Sequence, residues 1–307
     1  MTKNSASRFP APGTGLPYLL FRTTPRDRWL LAMIHEHQAL TSEHITDLCY
    51  GTVRGANRRL AALTSLGVLD RTRISSHRTW TPYLYTLAPA GALLVGAERD
   101  QSVKELRYDR AKLLRQAARP DLPHTLGCNT LMIHLATAGR TRPDAPRLSV
   151  WWGPTSCLRL WGDSIRPDAY AVLDDPRAAG QPTGSCGFFL EYDTGSESGA
   201  QLAAKLRGYA RYAENYTGHR PVLIQVPNPT REARLHARIT ETYGVSPVPI
   251  ATSIATLDPA AASWAVHGGG QRVPIAALPT VFATRGYRIL PPTLTDPAAP
   301  APTPNWH

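Results

Sequence analysis

Two apolar runs close together constrain this chain most: SIRPDAYAVLDD, starting at Ser164, and CGFFLEYD, starting at Cys186. A polar linker around Gly180 joins them, and a helical pattern, SGAQLAAKLRGYARYAENY, follows at once. Short β-rich runs with a turn-forming linker between them predict an antiparallel hairpin. Side chains alternate along a strand, so Glu191 and Asp193 share one face, and Phe188, Leu190 and Tyr192 take the other. Pairing symmetric about residue 180 sets positions 168 and 192 roughly opposite and brings Asp168 close to Glu191 and Asp193. On the helix, Lys205, Tyr209, Tyr212 and Tyr216 recur at i, i+4, i+7 and i+11, along one face.

Three carboxylates on one sheet face repel one another unless a cation lies among them. Hard divalent cations take oxygen ligands, which makes Asp168, Glu191 and Asp193 candidate ligands for Mg²⁺ or Mn²⁺. Such an ion polarises a phosphate and acidifies an attacking water. Lys205 leaning over the strand end would neutralise charge on the phosphate. His124, at the start of the helical stretch LPHTLGCNTLMIHLATAGR, is a supporting candidate.

The charge distribution suggests what such a site would act on. Net charge is +11. Residues 1–119 carry 18 Lys/Arg against 9 Asp/Glu, and residues 120–307 carry 16 against 14, so the excess is +9 and then +2. A basic field confined to one region points to a polyanion, nucleic acid above all.

That basic region has its own pattern. From Thr24 a helix places Trp29, Met33 and Ile34 on one stripe. Thr41 to His44 resembles a capping box opening a helix that runs to Tyr50, with Ile45 and Leu48 inward and Gly51 as its breaker. A third helix follows, with Val53, Ala56, Leu60 and Leu63 at helical spacing. VLDRTRI and TWTPYLYTL then read as two strands around an SSHR turn, and APAGALLVG as a closing helix. Arg54 and Arg58 share a face of the third helix, flanked by Asn57 and Arg59, while Arg71, Arg73 and Arg78 fall on the hairpin. The order resembles a winged helix-turn-helix, carried by LxxLxxLGVLDR and YLYTLAPAG between Leu60 and Gly91. The resemblance implies a recognition helix in the major groove and a wing on the DNA backbone.

The expected organisation is a flexible lead-in over 1–18, a winged helix over 19–100, a helical connector over 101–122, an α/β domain over 123–290 and a disordered Pro-rich tail over 291–307. RLSVWWG, PVLIQVP and VSPVPIATSIATL supply further strands, and REARLHARITETYG a further helix. Gly268-Gly-Gly270 lacks the Lys-Ser/Thr of a phosphate loop. The scattered Cys49, Cys128, Cys157 and Cys186 have no metal-ligand spacing and read as reduced thiols of a cytoplasmic protein. No apolar run reaches the roughly 18 residues of a membrane span.

Pro167-Asp168 and Glu191 resemble the PD-(D/E)xK motif of restriction-endonuclease-like nucleases. The sequence departs from it at Asp193, where a lysine is expected. Some members place that lysine on the following helix, and Lys205 is the candidate here. Taken in order, the winged helix, HTLGCN, RPDAY, FFLEYDTGSES and KLRGYARY resemble the actinobacterial plasmid replication-relaxation family over about residues 20–290. The resemblance implies an α/β fold overall: an N-terminal winged helix, then a restriction-endonuclease-like domain with a mixed sheet. It also implies DNA nicking dependent on Mg²⁺ or Mn²⁺, with catalysis by Asp168, Glu191 and Lys205 and support from Asp193 and His124. Its setting would be plasmid or mobile-element replication, relaxation or conjugative transfer, with auxiliary proteins as possible partners. A second reading stays open: a non-catalytic replication or transcription factor with a degenerate nuclease fold. A covalent tyrosine relaxase fits less well, because His35-Glu-His37 lies in a helix with an acid between the histidines.

Overall fold

The computed structural model describes residues 15–73, 81–176, 184–195, 198–293 and 299–302. They form two compact units that divide between Arg119 and Pro120.

The first unit opens with α1 (Leu16–Arg22), which begins in the last three residues of the expected flexible lead-in, and α2 (Pro25–His37). Thr24 caps α2 reciprocally with Asp27, and Pro25 occupies the first turn, where a missing N–H costs nothing. β1 (Leu40–Thr41), α3 (Ser42–Ile45) with a π turn over Thr46–Tyr50, and α4 (Val53–Ser65) follow. Gly51, at φ 64°, ends the turn in the left-handed region that glycine tolerates best. β2 (Leu69–Arg73) and β3 (Tyr83–Leu87) complete a sheet in the order β1-β3-β2. Helix, strand, two helices and a hairpin make a winged helix.

Leu30, Leu31, Met33, Ile34, Ile45, Leu60, Leu63, Leu69, Leu84 and Leu87 fill this unit's core. Two expected core residues differ. Val53 is exposed because it begins α4 before the helix reaches its neighbours, and Trp29 is only half-buried at the edge of the α2 stripe. After α5 (Pro89–Glu98), residues 101–119 pack on this unit and do not form a free connector. Within them, α6 (Arg110–Arg115) sends Arg110 to Asp70 at 2.7 Å, and the Tyr108 hydroxyl donates to the Leu87 carbonyl. Arg78 and the SSHR turn lie outside the described residues.

The second unit starts with α7 (Leu122–Thr141) and β4 (Arg147–Trp152), then α8 (Pro154–Trp161), β5 (Ala169–Asp174) and β6 (Ser185–Tyr192). α9 (Gly199–Asn215), β7 (Val222–Val226), α10 (Pro229–Tyr243), β8 (Ile250–Ile254), β9 (Ala265–Val266) and α11 (Leu278–Thr284) follow. The strands lie in chain order in one six-stranded sheet. β4, β5 and β6 are antiparallel, β6, β7 and β8 are parallel, and β9 returns antiparallel. Apart from α8, inserted between β4 and β5, the order α7, three antiparallel strands, α9 and β7 is the αβββαβ order expected of a restriction-endonuclease-like core.

One face of this sheet packs on Leu206, Tyr209 and Tyr212 of α9 and Leu235 and Ile239 of α10. Trp161 meets Tyr170, Phe189 and Tyr212 edge-on at centroid distances of 5.1, 5.1 and 6.4 Å. Each such pair contributes about 0.5–1.5 kcal/mol beyond the area it buries. Residues 291–293 are held on this core, contrary to the expectation of a disordered tail from 291. Buried Arg220 donates to the Pro291 carbonyl and the Thr293 hydroxyl, and the Thr293 amide donates to the Tyr170 hydroxyl. Gly187 makes room for this strap, because a Cβ there would stand 2.9 Å from that of Pro292. All four cysteines are buried and none is in a disulfide. Among the described residues, no helix is long and apolar enough to cross a membrane.

Candidate functional site

The hairpin pairs one residue away from the expected register. Ala169 lies opposite Leu190, so position 168 faces 191 and not 192. Directly opposed residues in an antiparallel pair share a face, and this register sets Asp168 beside Glu191. β5 begins where β6 ends, and α9 and α10 both start at the carboxyl ends of the parallel strands. The sheet therefore gathers its acids at the edge where open α/β sheets bind ligands.

Each acid there has a base as partner. Lys205 Nζ lies 2.6 Å from Glu191 Oε2, and the Tyr209 hydroxyl donates to Oε1 at 2.5 Å. His124 Nε2 is 2.9 Å from Asp168 Oδ1, while the Tyr192 amide donates to Oδ2 at 2.8 Å. Arg231 Nε donates to Asp193 Oδ2 at 2.6 Å, and the Gly195 amide to Oδ1 at 2.6 Å. The Glu191 side chain is 5% exposed and that of Asp193 3%, against 35% for Lys205 and 27% for Arg231. Buried acids are thus backed by cations that face outward.

Burial pushes the Glu191 carboxyl up to about 7, with the nearby Asp168 charge adding to the rise and Lys205 and Tyr209 opposing it. The hydrogen bond to Asp168 raises His124 against the opposing effect of burial. Burial and the Glu191 charge hold the Tyr209 hydroxyl protonated. Tyr192 stands edge-on to His124 at 6.0 Å and leans over Gly127, where a Cβ would come within 2.2 Å of its ring.

The expected three-carboxylate ligand set does not form. Asp193 is turned to Arg231 and Gly195, and among the described residues no group of three or more His, Cys, Asp or Glu is placed to hold a metal. Asp168 and Glu191 remain as a pair of hard oxygen donors on adjacent strand ends, close enough for one charge to perturb the other. That donor chemistry fits Mg²⁺ or Mn²⁺, which keep several waters and need only one or two carboxylates.

On the first unit, Arg54, Asn57 and Arg58 are exposed on α4, as expected. Arg59 is a correction. Its guanidinium binds buried Asp27 at 2.6 Å and the Arg22 carbonyl at 2.9 Å, tying α4 to the start of α2. Arg71 and Arg73 are exposed on β2 with their guanidinium carbons 5.0 and 4.7 Å from the Tyr83 ring centroid.

Tyr209 and Arg231 are the site residues that sequence reasoning missed. Tyr209 carried a signal, one helical turn after Lys205 on the same face, but was assigned no role. Arg231 carried none, because its encounter with Asp193 depends on α10 starting beside the end of β6.

The fold and site define a winged-helix protein with an α/β unit whose sheet edge bears paired acids and bases. Residues 31–223 match the replication-relaxation family, from α2 through β7, and the chain belongs to that family. Membership points to a role in plasmid replication or relaxation. No curated protein and no solved structure matched the chain.

Proposed function

We propose that this protein binds double-stranded DNA through its winged helix and cuts one strand at the Asp168–Glu191–Lys205 edge, during plasmid or mobile-element replication or relaxation. One observation carries the reading. Lys205 comes from the following helix to within 2.6 Å of the motif's buried second acid, which supports it as the stand-in for the lysine missing at position 193.

Asp168 and Glu191 would hold the divalent cation, which supplies charge stabilisation at the phosphate and a more acidic water. The chain's own residues do the rest. Tyr209 fixes the Glu191 carboxylate from inside the core. Lys205 faces outward, where it neutralises charge developing on the phosphate oxygens. As water adds to phosphorus one P–O bond breaks; His124, whose proton Asp168 helps to hold, lies at the same edge to protonate the leaving oxygen, and the proton given up by the attacking water passes to solvent.

The test is nicking of supercoiled cognate plasmid by purified protein with Mg²⁺ or Mn²⁺. Open-circular product is expected from wild type, with none from Asp168→Asn or Glu191→Gln. Product formed equally by those variants overturns the reading.

A non-catalytic DNA-binding factor is the second reading. Its support is that every acid of the edge is already answered by a base, as in a site that has become structural. Binding of cognate DNA without nicking under either metal would establish it.

A further inference from the structure

The two arginines of β2 share one aromatic partner. Strand pairing sets Arg71 opposite Tyr85 and Arg73 opposite Tyr83, so all four side chains stand on one face of the hairpin. The Tyr83 ring centroid is 5.0 Å from the Arg71 guanidinium carbon and 4.7 Å from that of Arg73. Its hydroxyl also accepts from Arg73 Nη2 at 3.1 Å. Tyr83 is half-buried and meets buried Tyr85 edge-on at 6.4 Å, which fixes the ring from behind, while both arginines remain exposed.

The kind of partner matters. An aromatic ring attracts a guanidinium through its π face and leaves the positive charge intact, with N–H donors around the rim still able to meet phosphate oxygens. A carboxylate does the opposite, as where buried Asp27 neutralises Arg59. Arg71 and Arg73 are therefore ordered and still charged, two residues apart on one strand.

Resting on the reading that the winged helix binds duplex DNA, we infer that Tyr83 is a positioning residue for that binding. It holds Arg71 and Arg73 ready for the phosphates, so that little side-chain freedom is lost on association. The arginines make the contacts, and the ring sets how much affinity those contacts yield.

The experiment uses the full chain and a mixed-sequence DNA duplex with EDTA present, because phosphate contacts carry no sequence and binding is then read without cleavage. Affinity is measured across a salt series for wild type, Tyr83→Phe, Tyr83→Leu, Arg71→Lys/Arg73→Lys and Arg71→Gln/Arg73→Gln. A triple variant joins Tyr83→Leu to the two lysines. The Gln pair should lower the slope of log K against log salt by about 2, one for each phosphate contact. Tyr83→Leu and the Lys pair should each bind about 5-fold more weakly, the scale of immobilising two long side chains, with the wild-type slope retained. Tyr83→Phe keeps the ring and should stay within about 2-fold of wild type. The triple variant should lose no more than either parent, because ring and guanidinium groups act as one unit.

If Tyr83→Leu acts only by loosening the hairpin, its loss and that of the Lys pair add in the triple variant, and the inference is overturned. Wild-type affinity in Tyr83→Leu overturns it as well. A wild-type slope in the Gln pair, with Arg54→Gln/Arg58→Gln lowering it, overturns the inference and leaves the DNA-binding reading standing. A duplex that wild type does not bind overturns both.

Discussion

On the winged-helix unit Arg54, Arg58, Arg71 and Arg73 stand exposed around an apolar core, whereas the α/β unit buries Glu191 and Asp193 and answers each with a base. The first arrangement suits a ligand that arrives as a long anion and is held by summed charge. The second suits chemistry, because charges held in a dry, fixed geometry act far more strongly than charges in water. The exceptions follow the same division. At Asp27, one of the acids the first unit buries, Arg59 is the covering base.

The contrast breaks most directly at the acids. Glu191→Gln should lower nicking by about 100-fold or more, the scale of removing one group that stabilises the transition state, and leave duplex binding nearly unchanged. Lost binding with nicking preserved per bound complex would reverse the roles of the two units.

Acid should separate the units next. Burial holds His37 at about 3 and His44 at about 4, against an ordinary 6.5, and also lowers His35. These groups bind fewer protons folded than unfolded, so the first unit loses stability as pH falls below 6.5. For His44 alone the loss by its folded value of about 4 is about 3 kcal/mol. Glu191 and His124 act in the opposite sense. Between the ordinary 4.5 and about 7 the folded unit binds the extra proton of Glu191, so that contribution falls as pH rises, and the contribution of His124 falls as pH rises through its raised value. His236 and His267, both lowered, partly offset this within the second unit. Calorimetry of the full chain between pH 7 and 4 should show the first unit's transition moving down the further, and His44→Asn should flatten it.

Two glycines sharpen the comparison at a smaller scale. A Cβ on Gly91 would meet the Val68 carbonyl oxygen at 2.2 Å, backbone against backbone, so Gly91→Ala should cost about 1–3 kcal/mol in the first unit's melting. At Gly127 the obstacle is the Tyr192 ring, which can swing. Gly127→Ala should melt closer to wild type but nick more slowly, because the ring edge that supports His124 moves. Smallest is the expected effect of Arg54→Ala or Arg58→Ala: each should lower the salt slope of DNA binding by about 1 while nicking per bound complex stays constant.

Local patterns made most of the architecture legible before any coordinates. The Thr41–His44 cap and Gly51 act over a few residues and stand where they were read; the α2 stripe buries Met33 and Ile34, and β5 and β6 pair antiparallel. The edge of the sheet was harder. The hairpin's register depends on packing against β4 and β7, and the one-residue difference sets Asp168 opposite Glu191. The Arg231–Asp193 pair spans 38 residues and a crossover. Asp27–Arg59 likewise ties down an arginine that was read as flanking the basic face of α4. Charge spacing along one helix shows which side chains share a face, but not which of them meets an acid from elsewhere in the chain.

The strap at residues 291–293 dictates an order of events during synthesis. Every described element of the winged-helix unit lies before Pro120, so that unit can close while the α/β unit is still being made. Arg220 is 8% exposed, and its hydrogen-bonding partners include Tyr212 as well as Pro291 and Thr293. Until the strap is made, its guanidinium either stays in water or sits in the core with most of its donors unanswered. The nascent protein therefore passes through a stage in which the basic winged-helix unit is complete and the unit with the acidic edge is not.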